Sequence, residues 1–107
     1  MTTMVIDIEH GELAKKFMGA VGKYLIHHAT RQYWAFIDII TVLDMIESGE
    51  LPGTYNWGFY ERRMNELRAP DCQERCVFER LVGFIKSEWS TLSADQQSRA
   101  QKFELHS

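Results

Sequence analysis

The side chains with the strongest intrinsic chemistry in this sequence are the adjacent pair His27-His28 and two cysteines four residues apart, Cys72 and Cys76. Brought together they would offer nitrogen and sulfur donors to zinc. Their spacing argues against it, because neighbours on a helix point about 100° apart and do not converge on one ion. Structural zinc pairs its cysteines in a loop and adds a second tight pair of ligands, and the chain has no such pair. No metal and no other cofactor is expected. Cys76 lies between Arg75 and Arg80, and nearby cations activate a thiolate. It sits in mid-helix, however, with no phosphate-cradling loop and no histidine at a recognisable spacing, so a nucleophile is not expected. Asp38 and Asp44 fall about 120° apart on a helix and do not form a facing carboxylate pair. No catalytic residue is assigned, and the chain is not expected to be an enzyme.

Two stretches carry binding chemistry. The first lies within Thr30 to Gly49, where Tyr33, Ala35, Phe36, Ile37, Ile39, Ile40, Val42, Leu43 and Ile46 cover most of a helix circumference. The remaining residues, Arg31, Trp34, Asp38, Thr41, Met45 and Ser48, share one narrow stripe. Tryptophan, methionine and arginine are enriched at interface cores, so Arg31, Trp34, Asp38, Thr41 and Met45 are the candidate partner-binding residues. Asp38 is read as belonging with Arg31 on that polar stripe. The second stretch, Tyr55-Asn56-Trp57-Gly58-Phe59-Tyr60-Glu61-Arg62-Arg63, mixes aromatics with arginines, a composition used to stack bases and contact phosphates. It makes Asn56, Arg62, Arg63 and Arg68 an alternative nucleic-acid surface, although Glu61 and Glu66 offset the arginines. A third surface is the strip of small residues Cys72, Cys76, Gly83, Ser87 and Ser90, which a second helix could approach closely.

The elements that position these residues follow from periodicity and caps. Met4 to Ile8 has no strand to pair with and is expected to be an extended arm. Leu13, Phe17, Ala20, Val21, Tyr24 and His28 predict a first helix from Glu9 to His28 or Ala29, weakened or closely packed at Gly11, Gly19 and Gly22. Thr30 is placed to cap the central helix, Gly49 to end it, and Leu51-Pro52-Gly53 to turn the chain. A third helix is predicted from Thr54 or Asn56 to Arg68, burying Trp57, Tyr60, Met64 and Leu67, until Pro70 stops it. Asp71 with Glu74 has capping-box form and predicts a fourth helix from Cys72, with Val77, Phe78, Leu81, Val82, Phe84, Ile85 and Trp89 inside. Ser93 with Gln96 repeats the pattern and starts a short fifth helix, weakly held by Ala100, Phe103 and Leu105. The expected fold is therefore all-α: a compact bundle of four main helices with a short C-terminal fifth, forming one helical domain over residues 1–107.

Composition narrows the function class. An apolar content of 45% and a charged content of 25% are ordinary for a globular protein. A net charge of −3, with 12 basic and 15 acidic residues, is neither the basic footprint of a non-specific nucleic-acid binder nor that of a phosphate mimic. No secretory leader is evident, and no run approaches the roughly 20 apolar residues that span a bilayer. A cytoplasmic location with free thiols is expected. The reading that follows is a small helical protein acting by protein–protein contact, as an adaptor, assembly factor or inhibitor of a larger complex. Phages and mobile elements encode inhibitors of that kind, and self-association as a homodimer is one form the contact can take. The alternative is a DNA-binding regulator using residues 54–68.

Overall fold

The most apolar stretch of the sequence forms the longest helix and the centre of the molecule. A computed structural model describes residues 10–22, 30–49 and 56–105, with the side chains of Thr30 and Arg31 outside that description. Among the described residues the bundle has five α-helices: α1 (Glu12–Phe17), α2 (Thr30–Ser48), α3 (Trp57–Arg68), α4 (Arg75–Glu88) and α5 (Ala94–Lys102). There is no strand among the described residues. The radius of gyration, 13.1 Å, matches the roughly 13 Å of a folded chain of this length. The expected arm over Met4–Ile8, the His27-His28 pair and the Leu51-Pro52-Gly53 turn lie outside the described residues.

On α2, Ala35, Phe36, Ile39, Ile40, Val42, Leu43, Met45 and Ile46 are all buried. Each large aliphatic among them contributes about 1.5–3 kcal/mol by leaving water. Around this rod pack Leu13, Ala14 and Phe17 of α1, Met64 and Leu67 of α3, and Val77, Phe78, Leu81 and Ile85 of α4. Phe17 stacks on Phe36 at 5.7 Å and meets Phe84 edge-on at 5.3 Å, so one ring joins three helices.

The first helix departs from the expected unbroken run. It starts at Glu12 with Gly11 as N-cap and passes into a π-helical turn, Met18–Gly22. Its start is set from outside, by two carboxylates on α2. Asp44 accepts the Gly11 N–H at 2.9 Å, and Glu47 accepts the Leu13 N–H at 2.8 Å. These are amides that a helix N-terminus leaves unsatisfied, and the negative charges also suit the helix dipole. His10 Nδ1 donates to the second oxygen of Asp44 at 2.7 Å. A β-carbon on Gly11 would collide with the Glu47 carboxylate, so a larger residue there would have to displace the side chain that caps Leu13. Gly22 likewise lies against Phe36, where an added β-carbon would come within 2.9 Å of the ring edge.

The same C-terminal end of α2 is also held by α5. Gly49 takes the left-handed conformation, φ 73°, as the Gly-ended helix requires. Arg99 then reaches across to donate to the Ile46 carbonyl at 2.7 Å, while also pairing with Asp95. Helix α5 begins with the expected box, Ser93 accepting from the Gln96 N–H and Gln96 from the Ser93 N–H. It is held more firmly than its few apolar residues suggest. Phe103 and Leu105 are fully in the core, and Trp57 stacks on Phe103 at 4.6 Å.

Helix α3 ends at Arg68 as Pro70 demands, and Asn56 caps it by accepting the Phe59 N–H. Helix α4 starts three residues later than expected, at Arg75, after a run of turns linking Cys72 to Ala69 and Arg75 to Cys72. The Asp71–Glu74 box does not form because Glu74 is drawn inward, only 7% exposed, where it accepts from the Cys72 thiol at 3.0 Å. Trp89 falls in a 3₁₀ turn, Trp89–Thr91, and is half-buried rather than part of the α4 core.

Candidate partner-binding surface

The predicted stripe of α2 divides once the other helices are in place. Trp34 stands 57% exposed, the most exposed large apolar side chain described. Tyr33, half-buried beside it, meets its ring edge-on at 5.5 Å. Asp38, one turn further along, is also on the surface side but is claimed by another helix. Arg63 of α3 donates through Nε to Asp38 Oδ2 at 2.7 Å. Asp38 thus keeps its place on the polar side of α2 and finds its partner in Arg63; the Arg31 side chain is outside the described residues. Thr41 turns its hydroxyl back to the Ile37 carbonyl at 3.2 Å.

Met45 corrects the sequence-based stripe. It is completely buried, because α2 is covered on that side as well, and it belongs to the core rather than to a partner surface. The stripe is therefore open around Trp34, closed at Met45, and open again at Ser48.

A residue absent from the predicted site joins it from α3. Phe59 is 46% exposed and is braced edge-on by half-buried Tyr60 at 4.9 Å. The core spacing of Trp57, Tyr60, Met64 and Leu67 leaves Phe59 facing away from the core with Arg62, Arg63 and Glu66. That was the available signal, obscured by the aromatic density of the segment. Trp34 thus lies one turn before Asp38, and Phe59 one turn before Arg63. Because residues four apart share a helix face, the ion pair is flanked by Trp34 on α2 and by Phe59 on α3.

The same contacts bear on the alternative surface. Arg63 is held by Asp38 and lies 3.6 Å from Glu66. Burial alone would lower its pKa, but the hydrogen bond and charge of Asp38, with Glu74 and Glu66 behind it, outweigh this and keep the guanidinium above its ordinary value. Arg68 donates to the Phe103 carbonyl at 2.8 Å and lies over the Phe78 ring. Asn56 spends its side-chain oxygen on the α3 cap. Of the four residues proposed for nucleic acid, Arg62 is the exposed one with its charge turned to solvent.

Elsewhere the chemistry is quiet. Burial and then the hydrogen bond to Glu74 push the Cys72 thiol above its ordinary pKa, the opposite of activation. Cys76, Gly83, Ser87 and Ser90 are exposed, so the small-residue strip of α4 is open to solvent along most of its length. No group of three metal-ligating side chains occurs among the described residues. A cleft of about 200 Å³ between α1 and the α4–α5 junction is lined by Leu13, Lys16, Glu47, Glu88, Thr91 and Gln96 among others. It is smaller than the roughly 300–1,000 Å³ of small-molecule sites. Its polar groups are already spent: Lys16 and Thr91 both contact Glu88 at 3.2 Å, and Glu47 caps α1. No described helix is long and apolar enough to cross a membrane.

Comparison with protein-family models, with curated proteins and with solved structures finds no match for this chain.

Proposed function

We infer that this protein works by protein–protein contact, as an adaptor, assembly factor or inhibitor that occupies a surface of a larger partner. The observation that carries the reading is Trp34, more than half exposed, with Tyr33 edge-on against it and a satisfied ion pair one turn along the helix. Aromatic side chains ordered before binding lose little entropy on docking, which makes them efficient anchors. Asp38 and Arg63 already satisfy each other, so covering them strands no lone charge. The face offers apolar contact ringed by paired polar groups.

The test is affinity capture by the immobilised chain, followed by mass spectrometry, with Trp34→Ala alongside. A partner recovered by the parent chain and lost with Trp34→Ala is the expected outcome. Equal recovery by both, or none, refutes it. The DNA-binding alternative has less support, since Arg63 and Arg68 are engaged within the chain. A salt-dependent gel shift abolished by Arg62→Ala with Arg63→Ala would revive it.

A further inference from the structure

The C-terminal end of α2 both gives and receives a cap, and the two caps involve different helices. Through side chains it gives: Asp44 accepts the Gly11 N–H at 2.9 Å and Glu47 accepts the Leu13 N–H at 2.8 Å, which fixes the start of α1. Through the main chain it receives. The Ile46 carbonyl accepts from Arg99 Nε at 2.7 Å, and the Glu47 carbonyl accepts from Arg99 and from Gln96, each at 3.4 Å. These carbonyls belong to the last turn, where a helix runs out of amide partners of its own. Glu47 therefore stands in both caps, its carboxylate on α1 and its carbonyl under α5.

The surroundings make this turn the route between the two helices. A cleft of about 200 Å³ separates α1 from the α4–α5 junction, and atoms that face a gap have no partner through which to pass a displacement. The direct tie on that side, Lys16 with Glu88 at 3.2 Å, is an exposed ion pair of the kind that contributes little. Nor does α1 cap itself, since its N-cap is Gly11, which has no side chain to accept an amide. Phe17 anchors the opposite end of α1 on Phe36 and Phe84, so the amides of the first turn depend on Asp44 and Glu47.

We propose that the last turn of α2 is a relay joint, through which the start of α1 and helix α5 open together. When α5 withdraws Arg99 and Gln96, the Ile46 and Glu47 carbonyls lose their donors, the turn frays, and the Glu47 carboxylate leaves the Leu13 amide. Asp44 lies before that turn, so the Gly11 amide is affected less. The joint does not rest on the protein-binding reading, and neither falls with the other.

Native-state hydrogen exchange of the full chain, followed amide by amide by NMR, tests it. In Arg99→Ala the Gly49 N–H, bonded to the Met45 carbonyl at 3.1 Å, and the Leu13 N–H should both exchange at least about tenfold faster, the consequence of losing a charged hydrogen-bond donor. The Gly11 N–H should gain less. Glu47→Ala reads the joint from the other side and carries the test should Arg99→Ala fold poorly. It leaves in place the carbonyl that Arg99 grips, yet should speed exchange of the α5 amides of Gln97 and Phe103, because coupling between two sites is reciprocal. Asn56→Ala, which removes the α3 cap, should leave Leu13 and Gly49 at the parent rates. An unchanged Leu13 rate in Arg99→Ala, or unchanged α5 rates in Glu47→Ala, overturns the proposal. So does an equal acceleration of α1 and α5 in Asn56→Ala, which would mean that these amides exchange through global unfolding and not through a joint.

Discussion

Replacing Asp44 with alanine should cost this protein about 2 kcal/mol, although Asp44 lies near the C-terminal end of the most apolar helix. The carboxylate is 9% exposed and accepts two hydrogen bonds, from the Gly11 N–H at 2.9 Å and from His10 Nδ1 at 2.7 Å. A helix cap is worth about 1 kcal/mol, and a hydrogen bond to a charged group about 1.5–3 kcal/mol. The sum is discounted because Gly11 and His10 are only half-buried and recover water when the acceptor is gone. For a domain near 100 residues, about 2 kcal/mol lowers the melting temperature by roughly 8–15 °C. Asp44→Asn keeps an oxygen for the Gly11 amide but removes the charge that faces the α1 dipole, and should lose about half as much. Asp38→Ala, which breaks an ion pair near the surface, should cost no more than about 1 kcal/mol. Thermal and urea unfolding followed by circular dichroism measure all three. If Asp44→Ala falls within about 0.5 kcal/mol of the parent, the cross-helix cap does not stabilise α1 and the reasoning fails.

Met45→Ala should destabilise by about 2–5 kcal/mol through the cavity it leaves, whereas Trp34→Ala should change stability little and affect only binding; similar unfolding midpoints for the two would contradict their opposite burial. The raised pKa of Cys72 means its thiolate is scarcer at neutral pH than that of a free cysteine. Its alkylation, followed by peptide mapping, should therefore reach half-maximal rate above the usual thiol range, and Glu74→Gln should move that midpoint down. Because the folded value lies above the unfolded one, this contribution to stability is present below the ordinary thiol pKa and is lost as pH rises through the folded value. Gly49→Ala should cost at least about 1–2 kcal/mol, since φ is 73° and the new β-carbon would lie 2.7 Å from the Arg99 guanidinium. Part of that loss should disappear in an Arg99→Ala background, measured as a double-mutant cycle.

What this sequence determined by itself is what neighbouring residues decide. The all-α character, the span of α2, the stop before Pro70, the turn-forming Gly49 and the Ser93–Gln96 box all rest on interactions within about four residues, and the structure has each of them. Tertiary contact decided the rest, wherever a distant side chain competed for a local group. The α1 start moved to Gly11 because Asp44 and Glu47, more than 30 residues away, accept its amides. The α4 start moved to Arg75 because Glu74 turned inward to Cys72 instead of back to Asp71. Asp38 went to Arg63 across 25 residues, joining the polar side of α2 to α3. Met45 left the surface because a helix wheel reports direction but not which neighbours lie there. Trp34 was legible as an exception to the pattern, while the ion pair and the second aromatic beside it were set by which helices the core brought together.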